Sequence, residues 1–151
     1  MSLEKKTALV NHLIDDLTAR CNTITNELYS LSESKKSEQK SSAGDKFETS
    51  REMMRQEEEQ LQKNIIKLRG QIADLQRVDL EKDFDQIEFG AYAETSMGDF
   101  LIASGMGSVT FNGKKYFCIS LASPIGRKMH LLQSGESFKN NTGKVVIEAI
   151  Y

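Results

Sequence analysis

Residues 3–31, LEKKTALVNHLIDDLTARCNTITNELYSL, decide the fold. Apolar side chains return every seven residues, at Leu3, Val10, Leu17, Ile24 and Leu31, and a second series, Ile14, Cys21 and Leu28, is offset by four. These are the two seam positions of a coiled coil. All ten glycines lie at Gly44 or later and the sole proline is Pro124, so nothing in the first 43 residues interrupts a helix. The pattern stops among Ser32, Ser34, Ser37, Ser41, Ser42 and Gly44, interleaved with Lys35, Lys36 and Lys40. Short polar side chains compete there for backbone hydrogen bonds, which predicts a turn.

The heptad resumes at Met54, Leu61, Leu68 and Leu75, with Ile65 and Ile72 on the companion positions. Two arms of roughly thirty residues, each about 45 Å long at ~1.5 Å per residue, are thereby predicted to lie antiparallel across a short turn. Arg51 and Glu58 occupy seam positions, so the seam should weaken toward the turn. The hairpin is assigned to residues 1–78 with its tip near 34–47.

From residue 79 to 151 the pattern changes to glycine punctuation and β-branched or aromatic runs, as in Val109 to Phe111, Lys115 to Leu121 and Lys144 to Tyr151. Asn112-Gly113 predicts a type I′ hairpin turn, which needs positive φ at both central residues. Ser123-Pro124 predicts a capped short helix running to about Leu132, with Gly135 turning the chain afterwards. The fold class expected is α+β: an antiparallel α-helical coiled-coil hairpin followed by a small antiparallel β domain with one short helix.

The bulk numbers exclude several classes. With 20 basic against 22 acidic residues and a formal charge of −2, the chain carries no global field for nucleic acid, so direct duplex DNA binding is not expected. No apolar run approaches the ~18 residues of a membrane span. Met1 to Lys6 is charged at once and lacks a secretory leader's pattern, so a cytoplasmic protein without a membrane partner is expected. Cys21 and Cys118 are read as reduced packing residues. A Cys118–His130 nucleophile is set aside, because Cys118 alternates with apolar neighbours in a predicted buried strand.

Asp45 and Glu48 mark the start of the second helix and share one side of its first turn. They admit two readings. Asp-x-x-Glu is a capping-box pattern, and two exposed carboxylates can also share Mg²⁺, which commonly takes one or two protein carboxylates and keeps the rest of its shell for water or phosphate. Lys35, Lys36, Lys40 and Lys46 are candidates for RNA phosphate contact or for a solvated turn. Glu57, Glu58 and Glu59 read as a wet helix face.

Gly44-Asp45-Lys46-Phe47-Glu48 on a hairpin tip resembles the acidic tip motif of the Gre transcript-cleavage factors of bacteria. The second half matches as well: Gly105-Met106-Gly107, Asn112-Gly113 with Tyr116-Phe117 and Ile119-Ser120, Ser123-Pro124-Ile125-Gly126-Arg127 and Gly135-Glu136 follow the order of the Gre C-terminal domain. The resemblance implies that this domain is similar to FK506-binding proteins and docks on RNA polymerase, with Ser123, Pro124, Ile125 and Gly126 as partner-binding candidates. It implies that the hairpin enters the polymerase secondary channel, where Asp45 and Glu48 help hold a Mg²⁺ shared with the polymerase and stimulate cleavage of backtracked RNA, meeting the RNA 3′ end only indirectly. The chain would then be an accessory factor rather than an enzyme, with no cofactor of its own. It departs from the family at Thr49 to Glu52, where Asn-Ala-Glu-Tyr is usual, and at 129–134, where Gly-Lys-Lys is usual. A non-catalytic channel regulator and a helical-hairpin adaptor therefore stay open.

Overall fold

The computed structural model describes residues 2–40 and 44–151, with side chains described from Leu3 to Ser37 and from Glu48 onward. Helix α1 (Ser2–Lys40) and helix α2 (Gly44–Gln76) form a helical hairpin. Six strands follow, β1 (Tyr92–Thr95), β2 (Gly98–Ile102), β3 (Gly107–Phe111), β4 (Lys114–Ile119), β5 (Ser137–Asn140) and β6 (Gly143–Ile150), with helix α3 (Pro124–Met129) between β4 and β5. No described helix is long and apolar enough to cross a membrane. The chain divides into two compact units, residues 15–70 and residues 1–14 with 71–151.

In the unit of residues 15–70, Leu17, Cys21 and Ile65 are buried, and Ile24, Leu28, Leu31, Met54, Leu61 and Leu68 are half-buried among exposed neighbours. This is the seam that the seven-residue repeat predicts. Helix α1 runs through Ser32, Ser34 and Ser37, which the sequence reading places in a turn. With no glycine or proline to stop it, the helix is supported there by ion pairs, Lys36 with Glu33 at 3.5 Å and Lys35 with Glu58 across the hairpin at 3.4 Å. Glu58, the polar residue at a seam position, thus meets a cation from the facing arm.

In the other unit the sheet order is β3-β4-β2-β1-β6-β5. All pairings are antiparallel except β2 with β4, where Phe100 faces Phe117 and Leu101 faces Cys118 in parallel register. The parallel pair departs from the all-antiparallel expectation. It arises because β3 lies outside β4, so the chain leaves β2, forms the edge, and returns alongside β2 in the same direction. Asn112 (φ 51°) and Gly113 (φ 75°) make the two-residue turn between β3 and β4 in the left-handed conformation a type I′ turn requires.

Strand alternation sends Ala93, Phe100, Ile102, Ile119 and Ile147 into one core with Phe84, Ile87, Phe138 and Met129 of α3. On the opposite face Tyr92, Leu101, Tyr116 and Cys118 are buried. His12 of α1 stacks on Phe111 at 4.5 Å and places the first turns of the hairpin on that face. Leu9 and Leu13, both outside the seam, are therefore buried, whereas Leu3 is 39% exposed. A narrow seam widens into a broad apolar stripe where a helix packs on a sheet. Lys6 is also fully buried, its ammonium 4.3 Å from the Phe84 ring centroid and 3.4 Å from the Tyr151 carbonyl.

Candidate functional site

Helix α2 begins at Gly44, so Asp45 lies inside its first turn and Glu48 one turn later. A residue with helical backbone is not the extended residue that caps a helix, which weakens the capping-box reading. Positions three apart lie on one helix face. Glu48 is exposed to solvent. The side chains of Asp45, Lys40 and Lys46 lie outside the described residues. Lys36 is exposed and paired with Glu33, and Lys35 is held by Glu58. Further along α2, Arg55 bridges Glu52 and Glu59 on the exposed face, and its hydrogen bond holds the Glu52 carboxyl below its usual range. Glu59, part of the Glu57–Glu59 run, is thereby engaged in a surface ion pair.

Among the described residues no three His, Cys, Asp or Glu side chains converge to hold a metal.

The Ser-Pro-Ile-Gly segment forms the start of α3. Ser123 is its N-cap, with extended backbone (φ −68°, ψ 157°) and a side-chain oxygen that accepts from the Gly126 amide at 3.0 Å. The same hydroxyl donates to the Ser120 carbonyl at 2.7 Å. Gly126 is buried against Ser120 and Leu121: a Cβ there would stand 2.0 Å from the Ser120 oxygen. Ile125 packs on the core and Pro124 is exposed. Three of the four candidate partner-binding residues thus hold the local fold, and only Pro124 faces solvent outright.

Helix α3 ends at Met129, three residues short of the expected Leu132, and Leu131 follows in the left-handed region at φ 66°. For a residue with a Cβ that conformation costs about 1–2 kcal/mol. It is held by the Leu131 amide on the Ile87 carbonyl at 2.8 Å and the Ile87 amide on the Leu132 carbonyl at 2.9 Å. The strained backbone could not be foreseen from Leu131-Leu132, which carry no turn signal.

Two polar clusters escaped the sequence reading because they depend on contacts between elements far apart in sequence, one between strands and one where α1 meets the segment after α2. Asp99, nearly buried, accepts hydrogen bonds from the Tyr92 hydroxyl and from Lys114 Nζ, the latter at 2.7 Å. Burial first, and the bond to Asp99 second, push the Tyr92 hydroxyl well above its usual range. Lys6 is the other, lowered to about 8 by burial despite attraction from Asp79, with Lys82 adding repulsion. Cys118 is fully buried, its thiol pushed up to about 11 by burial, and its sulfur lies 3.1 Å from the Ser104 carbonyl oxygen. His130 is exposed. Cys118 is a packing residue.

The site is therefore a helical hairpin with an acidic pair at the start of its second arm, followed by a six-stranded, mostly antiparallel α+β domain. No family model and no curated protein matches the chain. Among solved structures the chain is similar to the transcription factor Gfh1, at 19% identity over 91% of this chain and 92% of that one, with a TM-score of 0.35.

Proposed function

We propose that this protein is an accessory factor of RNA polymerase that inserts its hairpin into the secondary channel and stimulates cleavage of backtracked RNA. One observation carries the reading. The motif Gly44-Asp45-Lys46-Phe47-Glu48 opens the second arm of a helical hairpin, and the same chain continues into an α+β domain whose only described α-helix beyond the hairpin starts with Ser123-Pro124-Ile125-Gly126, in the order of the Gre factors. Asp45 and Glu48 would present two oxygen ligands on one helix face, and polymerase carboxylates would complete the shell. The chemistry that Mg²⁺ would supply there is activation of the attacking water in two-metal phosphoryl transfer. The chain's own part is to deliver and orient the two carboxylates.

A second reading is favoured by Thr49, Ser50, Arg51 and Glu52, which replace the family's usual Asn-Ala-Glu-Tyr. It makes the protein a channel occupant that regulates polymerase without cleavage.

The test is RNA cleavage by purified polymerase in a stalled, backtracked complex, with wild type and with Asp45→Asn. Asparagine keeps the size and shape of aspartate but is a poor substitute for a carboxylate on Mg²⁺. The cleavage reading expects stimulation by wild type and its loss in Asp45→Asn with binding retained. Equal stimulation by both proteins refutes the metal role. Binding without stimulation by wild type establishes the regulator, and absence of binding leaves a hairpin adaptor.

A further inference from the structure

The formal charge of −2 hides a segregation of charge along the chain. Between residues 100 and 147 the cations are Lys114, Lys115, Arg127, Lys128, Lys139 and Lys144, and the only acid is Glu136. A strongly basic stretch inside an acidic protein points to a polyanionic partner that the net charge does not reveal. The fold gathers three of these lysines. Lys139 on β5 lies directly opposite Lys144 on β6, and both are exposed. Residues so paired hold their Cβ atoms about 4.5–5.5 Å apart, where like charges destabilise a sheet. Lys128 of α3 reaches the same strand, its Nζ donating to the Lys139 carbonyl at 3.0 Å. None of the three forms an ion pair among the described residues, and Glu136 accepts from the Gln133 amide instead. A lysine on an edge strand keeps other sheets from pairing there, which accounts for Lys139 on the outermost β5. It does not account for Lys144, because β6 has a strand on either side.

We propose that Lys128, Lys139 and Lys144 form a contact for the phosphate backbone of a nucleic acid. The inference goes beyond the polymerase reading and does not depend on it. Lysine is a compact point charge suited to phosphate, whereas protein interfaces are depleted of lysine and enriched in arginine and aromatic residues. Ser137, Asn141 and Thr142, on β5 and in the β5–β6 turn, are exposed beside the pair. Hydroxyl and amide side chains of this kind supply many of the hydrogen bonds that proteins make to phosphate oxygens. No aromatic side chain is exposed on β5 or β6, so bases have nothing there to stack on. The contact therefore reads charge and not sequence.

The test is fluorescence anisotropy of the full chain with a labelled single-stranded RNA, a labelled duplex DNA of the same length, and labelled poly-glutamate. Polymerase is absent, so the result bears on this site and not on the cleavage reading. Wild type is expected to bind both nucleic acids, the tighter of the two identifying the source of the phosphates. Three phosphate contacts predict that affinity falls about twentyfold to fortyfold between ~50 and ~200 mM salt. Joint Lys139→Gln and Lys144→Gln substitution should weaken binding about tenfold or more at ~50 mM salt and leave a much flatter salt dependence. That variant should melt at or above the wild-type temperature, because it removes a like-charge pair. Lys128→Gln, outside the sheet, should weaken binding several-fold and flatten the salt dependence by about one contact. Joint Lys63→Gln and Lys67→Gln substitution on α2 is the control and should stay within about twofold of wild type. Absence of binding by wild type at ~50 mM salt, undiminished binding by the β5–β6 variant, or an equal loss in the control overturns the proposal. Binding of poly-glutamate as tight as that of nucleic acid, lost in the same variant, also overturns it and assigns the lysines to an acidic protein.

Discussion

Replacing Lys6 by methionine should make the protein more stable, and by an amount that depends on pH. The buried ammonium is held at a pKa of about 8 against 10.5 in the unfolded chain. At 1.36 kcal/mol per pKa unit, the charged form costs the native state about 3 kcal/mol at pH 7. The sign follows from proton counting. Between about 8 and 10.5 the unfolded chain binds the proton and the native state does not, so stability rises with pH through that window and is lost as pH falls through 8. Methionine keeps the apolar stem and sets a thioether near the Phe84 ring in place of the cation. It leaves no orphan acceptor, because the Tyr151 carbonyl also accepts from the Tyr92 amide at 2.8 Å. Urea unfolding followed by far-UV circular dichroism and tyrosine fluorescence should find Lys6→Met more stable by about 3 kcal/mol at pH 7, the gap shrinking to about 1 kcal/mol at pH 10. The raised Cys118 thiol and Tyr92 hydroxyl lower stability at alkaline pH in both proteins, so the difference isolates Lys6. A variant less stable than wild type at pH 7, or a gap that stays flat from pH 7 to 10, refutes the reasoning.

Gly126→Ala drives a methyl group against the Ser120 carbonyl and should lower stability by about 3 kcal/mol in denaturant unfolding, the upper range for overpacking. Near-wild-type stability would mean that α3 is not seated as tightly as described. Lys35→Glu sets two carboxylates together across the hairpin and should cost about 1 kcal/mol, while adding Glu58→Lys restores the loss. A double-mutant cycle without coupling would show that the pair contributes nothing to the hairpin.

How much of this was legible depends on the range of the interactions. The heptads at Val10, Leu17 and Cys21, the Asn112-Gly113 turn and the Ser123 cap are local patterns, and each lies where the sequence places it. Strands β1, β2 and β5 were missed: Tyr92–Thr95 and Gly98–Ile102 are short, and β5 alternates exposed polar residues around the single buried Phe138. The parallel β2–β4 pairing is set by which edge β3 takes, something no window of sequence reports. Burial of Leu9, Leu13 and Lys6 reflects a helix lying on a sheet, which heptad counting does not see. The acidic pair was legible only as residue types and spacing. Leu131 was invisible because its conformation is imposed by Ile87, more than forty positions away in sequence.

The central claim is that the start of α2 reaches the polymerase active site. A photo-crosslinker on Glu48→Cys tests it most directly, since Cys21 and Cys118 are buried and leave position 48 as the thiol that reacts. In a backtracked complex the account predicts crosslinks to the RNA 3′ end and to polymerase residues lining the secondary channel. Crosslinks confined to the outer surface of a polymerase that still binds the protein would contradict it.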